Sequence, residues 1–442
     1  MNQLVAKTTQ SGLQHAHGED VQCAARVFVD PSATGLLGLA LRGMVLMTVT
    51  LGLYRFWYVT HMRRYFWAHT RIGSHPLEFT GYPADLIAGF FMAVVILLPL
   101  YLSLFVISLG LPNGVLAANL IAIGMLWFLS QFALYRARNY RLTRTLWRGL
   151  RFRQGGSGSV YALLSMFWFS IGVVSLGVLW PMRRRALQAY RMRHTFYGTQ
   201  RAGFTAGLGP LYRAGWPLFL GTALIAAWAV YEIAVLWSAV PDTVALADLL
   251  GTSFRRLYAS DQLSAVPLAG LLRIAGISGV AFVILLAIAG PAYLAAETRH
   301  FANSTCFGAV RLKSSLTLQT LIAMWSKFLM VLAGFSLIYL GLGAVLFGVF
   351  LYSGLPVGLV DSAATRWWFF AALFLYYCVG FVAYSVIHLV FLRYRLWQAI
   401  GNSLSIMPVT LVSGIMADTP ERLRRRDGFG EGVADALDAG GL

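Results

Sequence analysis

The sequence predicts an all-α polytopic membrane protein built by internal duplication, with short extended segments between its helices. Three observations carry this. Hydrophobic residues make up 58% of the chain and charged residues 12%, against about 25% charged in ordinary soluble domains. Several apolar runs are long enough to cross a hydrocarbon core of roughly 30 Å. One spacing also occurs twice, 125 residues apart. Tyr65, His69, Thr70, Gly73, Phe79 and Thr80 recur without a gap as Tyr190, His194, Thr195, Gly198, Phe204 and Thr205, and Leu51-Gly52 upstream matches Leu176-Gly177.

Residues 1–25 are polar and lack the apolar core of a cleavable signal, so the first apolar segment is expected to direct insertion. A first membrane repeat, 26–135, holds an apolar stretch at 35–58 and spans at 85–109 and 114–135. The second, 136–317, holds a stretch at 159–180, spans at 216–237 and 268–294, and an outer loop at 238–267 with helix-like apolar spacing. A terminal pair, 318–400, has spans at 321–351 and 367–392 and precedes a tail at 401–442. Each span is a helix, because lipid offers the backbone no other partner.

Charge decides how the two extra stretches are read. The one at 159–180 is preceded by seven arginines from Arg136 to Arg153 and followed by Arg183, Arg184, Arg185, Arg191, Arg193 and Arg201. A single crossing would put one of these clusters outside, against the positive-inside rule. Entry and exit on one side resolves the conflict, and Gly172, Ser175 and Gly177 are compatible with a break. The matching stretch carries Gly43, Thr50 and Gly52, with Arg42 and Arg55 that would be costly at mid-bilayer. The expectation is six spans plus two re-entrant or interfacial hairpins, with both termini cytoplasmic; eight crossings is the alternative.

Each Arg-rich collar reads as a helical extension, a polar stop, a Gly turn and an extended piece. Weaker copies lie at 140–149, 303–308 and 393–402. Several such pieces on one face can pair into a small cytoplasmic sheet.

At these residues the chain resembles the YjgN-like family of bacterial inner-membrane proteins, whose function is unknown. The likeness rests on Thr50-Leu51-Gly52-Leu53-Tyr54, Arg63-Arg64-Tyr65, His69-Thr70-Arg71, Phe79-Thr80-Gly81 and the closing run 430–438, and it extends from about Arg26 onward. It implies a multi-pass inner-membrane protein and brings no substrate, cofactor or catalytic residue.

The net charge of +18 sits beside membrane segments, which points to anionic lipid head groups rather than nucleic acid, for which no binding signature is present. Ionisable residues within apolar spans are functional candidates by default: Lys327 and His388 near one end of the terminal pair, and Glu232 and Arg273 near the outer ends of their spans. The plainer reading makes these a snorkelling lysine, a packed histidine and a structural ion pair. The collars offer Arg63, Arg64, Tyr65, His69, Arg71, Arg183, Arg184, Arg185, Tyr190 and His194 as anion or head-group ligands. His69 and His194 can equally cap the last carbonyls of a basic helix. His61, His69 and His75 lack zinc spacing, Cys23, Cys306 and Cys378 lack a metal or redox pattern, and no catalytic motif occurs, so no metal, cofactor or enzyme activity is expected. The favoured function is a non-enzymatic transporter or channel-like protein for an anionic or amphipathic small molecule, with membrane lipids and a homo-oligomer or membrane protein as partners. A lipid-binding or assembly scaffold is second, and a membrane enzyme with an unfamiliar site third.

Overall fold

Both apolar stretches are cut by a tight turn, and each turn is built from a hydroxyl residue followed by Leu-Gly. The computed structural model describes residues 24–32, 35–110, 114–238, 268–352, 363–407 and 415. The loop at 239–267, most of both tails and the links at 111–113 and 353–362 lie outside the described residues. Strand β1 (Ala25–Val29) leads to helices α1 (Leu36–Val49) and α2 (Arg55–Ala68), then to β2 (Thr70–Ile72), β3 (His75–Pro76) and β4 (Glu78–Phe79). Helices α3 (Pro83–Gly110) and α4 (Gly114–Thr143) precede β5 (Thr145–Trp147) and β6 (Leu150–Gln154). Next come α5 (Gly158–Val174), α6 (Trp180–Arg193), β7 (Thr195–Tyr197) and β8 (Gln200–Phe204). Helices α7 (Gly209–Ser238) and α8 (Leu268–Asn303) lead to β9 (Thr305–Phe307) and β10 (Val310–Ser314). The described chain closes with α9 (Leu318–Tyr352), α10 (Ala363–Ile387), a π-helical segment (His388–Tyr394), α11 (Arg395–Ser403) and β11 (Leu404–Met407).

Among the described residues six helical segments are long and apolar enough to cross a membrane: Pro83–Ile107, Ala118–Thr143, Gly209–Leu236, Gly270–Asn303, Leu318–Gly348 and Phe370–Ser403. They correspond to the six expected spans. Neither stretch at 35–58 nor at 159–180 is among them, because a turn divides each. At the first, Leu51 (φ 51°) and Gly52 (φ 91°) are left-handed, and the Gly52 N–H donates back to Met47 O at 2.7 Å. Leu176 (φ 50°) and Gly177 (φ 89°) repeat this, with Gly177 N–H on Gly172 O at 2.8 Å. Such a six-to-one bond closes a helix over its orphan carbonyls. One hydroxyl serves both sides of each turn. Thr50 Oγ1 donates to Leu46 O and accepts from Tyr54 N–H, while Ser175 Oγ donates to Gly172 O and accepts from Leu179 N–H. The helices then fold back on each other, with Gly43 against Tyr58 leaving no room for a Cβ and Tyr161 beside Tyr190.

The all-α expectation understates the extended pieces. The described residues pack as two units, one within 84–314 together with 406–407, the other within 25–83 and 315–405. This grouping follows packing rather than duplication and so differs from the division into repeats. In the first unit β5 to β10 form an antiparallel meander in chain order. In the second, β1 pairs with β2 and β2 with β3. The collar spacing explains why strands form. A Thr follows each helix, and three residues later a residue enters the left-handed region and closes a two-residue hairpin. Gly73, Gly198 and Gly308 take that position, whereas between β5 and β6 it is Arg148 (φ 52°), with Gly149 (φ 75°) next. The displaced Gly of the 140–149 collar thus marks a change of turn type, since two left-handed residues make a type I′ turn.

Strand pairing constrains the hairpins. β6 precedes α5 and pairs with β7 after α6, through Phe152 opposite Tyr197 and Gln154 opposite Thr195. In the second unit β1 pairs with β2 across α1 and α2. Each helical hairpin therefore begins and ends on one sheet.

Candidate functional site

The collar side chains stand at helix ends, where the last four carbonyls lack helical partners. Thr70, Thr145, Thr195 and Thr305 each donate Oγ1–H to the carbonyl four residues back, at 2.7–2.8 Å. His69 Nδ1 and His194 Nδ1 donate to Tyr65 O (2.8 Å) and Tyr190 O (2.7 Å). Each imidazole also lies against the ring of the same tyrosine, at 3.9 Å and 4.4 Å between centroids. This is the capping role open to them in the sequence. Among the described residues no three or more His, Cys, Asp or Glu gather to hold a metal ion.

The collar arginines divide: Arg63 and Arg183 are buried and Arg184 half-buried, whereas Arg64, Arg71 and Arg185 are exposed. Arg63 is 1% exposed. Arg64 Nη2 donates to Gly81 O and lies over Tyr82. Arg185 Nε donates to Ala206 O, the same position one repeat later, from one helical turn further back. Arg184 grips Glu297 of α8 with two bonds, Nε to Oε1 at 2.7 Å and Nη2 to Oε2 at 3.0 Å. Burial opposes the Arg184 charge and is the largest single influence on it, but the Glu297 hydrogen bond and the Glu297 charge together outweigh it and raise the guanidinium above its ordinary value. Arg183 Nη2 donates to Ser165, which donates to Gln131, and its guanidinium lies over the Trp180 ring; burial lowers its pKa. Tyr190 Oη both donates to Ser157 O and accepts from Ser157 N–H, closing the base of its hairpin. Arg71 stays exposed on β2 opposite Phe28. Glu232 and Arg273 meet at 3.6 Å between α7 and α8, with Arg273 exposed.

Lys327 and His388 lead to the second unit. Helix α9 and the π segment lie together there, with the His388 ring 6.2 Å from Phe328 and stacked 6.0 Å from Tyr384. Beside them is a cavity of about 730 Å³, a size within the usual range for small-ligand sites. Lys327 and Arg395 supply two cations to its wall, and Thr320, Gln398, Asn402 and Ser403 supply neutral polar groups. Met324, Met330, Val331 and Phe391 make the rest apolar. Arg395 Nη1 donates to Gln398 Oε1 at 3.0 Å. Among the described residues of this unit the carboxylates are Asp30 and Glu78, and neither lines the cavity. The Asp30 carboxylate accepts from the Ser32 hydroxyl and N–H, which hold its pKa below the ordinary value. The cavity thus combines positive charge, neutral donors and an apolar wall. Phe391 belongs to the π segment and Arg395 follows it directly; π-helical turns recur at functional sites because they depart from helical register.

Residues 31–345 match the profile of DUF898, a family of bacterial proteins of unknown function. The chain belongs to this family. The YjgN-like likeness agrees with that membership. No curated protein and no solved structure matches the chain. With six apolar helices of crossing length, this DUF898 member is a bacterial membrane protein. Its family model ends at 345 and so covers Lys327 but not Arg395, Gln398 or Asn402. Those three were not singled out from sequence as ligands. Their only signal was a faint fifth collar, because the π segment that brings them beside Lys327 has no sequence signature.

Proposed function

We propose that this protein carries an anionic amphiphile at the inner, collar-bearing end of its α9–α10 pair, as a non-enzymatic inner-membrane transporter or channel-like protein. The observation that carries this is the cavity itself: Lys327 and Arg395 beside an apolar wall, without a carboxylate among the described lining residues. A charged group near hydrocarbon is expensive unless something compensates it. A bound anion would do so, and the apolar wall would take its tail.

The two hairpins fit the same reading as re-entrant elements. Helix α1 has 14 residues, about 21 Å at 1.5 Å per residue, which is short of a roughly 30 Å core. A small cavity lined by Leu51, Gly52 and Arg55 of its turn also touches Tyr377, Cys378 and Phe381, halfway along the apolar run of α10. Broken segments in corresponding positions of two repeats are a pointer to a transport pathway. The scaffold reading has less support, because Arg64, Arg184 and Arg185 are engaged with this chain's own carbonyls and carboxylate.

The test is calorimetric binding of dodecyl phosphate to the purified protein in neutral detergent, with dodecylphosphocholine as the zwitterionic control. Hydrogen bonds to charged groups contribute about 1.5–3 kcal/mol each. Lys327→Gln or Arg395→Gln should therefore weaken the anion by about 10–100-fold. Equal binding of both amphiphiles, or no response to either substitution, would sink the proposal.

A further inference from the structure

The six strands of the first unit hold five cations, Arg151, Arg153, Arg201, Arg311 and Lys313, and no carboxylate. Register places all five on one face. Direct partners across an antiparallel ladder share a face, as do residues two apart along a strand. Arg153 stands opposite Phe196, and Phe196 opposite Arg201. Two residues beyond Arg201, Gly203 stands opposite Cys306, which stands opposite Arg311. Arg151 and Lys313 follow at two-residue steps. On the reverse face Trp147, Gln154, Tyr197, Ala202, Val310 and Ser314 are buried. There the strands pack on α4, α6 and α8.

Solvation alone would put acids on a strand face as readily as bases, and none is among the described residues of these strands. The positive-inside rule accounts for an excess of Lys and Arg on one side of a membrane, not for their sorting onto one face of a sheet. The bilayer is a poor occupant, since the reverse face is the one that packs on the membrane helices. Single-stranded nucleic acid needs several open aromatic platforms. This face has one aromatic ring, Phe196, and the Arg153 guanidinium lies 4.3 Å from its centroid. The pairs Arg151/Arg153 and Arg311/Lys313 repeat at about 7 Å along their strands. An extended chain with acids at alternate positions has the same repeat. Arg153 on Phe196 and Arg201, whose Nε donates to the Arg193 carbonyl, are held in place beforehand, which lowers the ordering cost of binding. We propose that this basic sheet face docks an extended acidic segment of a soluble protein.

The experiment uses the full chain in neutral detergent and a fluorescent peptide of alternating Glu and Ser, read by anisotropy at physiological salt. The peptide should bind, and Arg153→Gln, Arg201→Gln and Arg311→Gln together should weaken it by about tenfold or more. Neutralising Arg422, Arg424, Arg425 and Arg426, a larger loss of charge at residues outside these strands, should leave binding unchanged. Should the triple variant not fold, Arg311→Gln alone, at an exposed position, should still weaken the peptide measurably while Arg311→Lys restores it. The proposal is overturned by absent binding, by equal loss in the tail variant, or by single-stranded RNA of matching length binding more tightly than the peptide.

Discussion

At the scale of single residues, the arginines that make the sequence look like an anion cradle divide into those that hold the protein together and those left for other work. Arg184 is the clearest of the first kind. Its carboxylate partner, Glu297, is only 4% exposed at the side chain, whereas Arg184 keeps 42%. Removing the cation strands a buried carboxylate, and the expected cost is below the 3–5 kcal/mol of a fully buried pair because water reaches the guanidinium. Arg184→Met should lower stability by about 2–3 kcal/mol in thermal unfolding of the purified protein, with Glu297→Gln costing less because an amide can keep one bond. Equal unfolding temperatures for the wild type and Arg184→Met would show that the bidentate grip contributes nothing. Lys327 and Arg395 are of the other kind. Their loss should alter ligand binding and leave unfolding nearly unchanged, since no described carboxylate of their unit lines the cavity.

At the scale of elements, the repeated turn is where sequence and structure agree most closely. Four hairpins use one plan, and one of them departs from it at Arg148. A left-handed residue other than Gly costs about 1–2 kcal/mol. A Cβ at Gly149 would meet nothing within 4 Å, so Gly149→Ala isolates that backbone cost and should destabilise by about 1 kcal/mol or slightly more. Arg148→Gly relieves the same strain while loosening the unfolded chain, and should be neutral or stabilising by under about 1 kcal/mol. Opposite signs in unfolding temperature, or a gap between the two, would bear this out; equal losses would mean that the Arg148 side chain matters more than its backbone. The spans, the two broken stretches and the capping role of His69 and His194 were legible because apolar length, Gly position and Thr spacing are local signals. The extent of the sheet was not, because each strand is only two to five residues long and several pairings join segments separated by whole helical hairpins. Glu297 was equally hidden, as nothing in the sequence links it to an arginine 113 positions earlier.

At the scale of the whole molecule, the question is how many times the chain crosses. A crossing by α5 alone would leave β6 and β7 on opposite sides of the membrane, yet they share a ladder from Phe152–Tyr197 to Gln154–Thr195. Crossing twice would carry α6, with Arg183, Arg184, Arg185, Arg191 and Arg193, through hydrocarbon at a cost of roughly 2.5–3.5 kcal/mol for each central arginine. Entry and return on one side avoids both difficulties, and the same reasoning applies to α1 and α2 between β1 and β2. Single cysteines at Ser157, Gln188 and Ser260, in a background without the native three, make this measurable in intact cells with a membrane-impermeant thiol reagent. Ser157 and Gln188 flank the α5–α6 turn on its two sides and should both be shielded until the membrane is opened, while Ser260 labels at once. Labelling of one of the first pair without the other would require a single crossing, which would separate strands that lie side by side and remove the basis for re-entrant hairpins around a shared pathway.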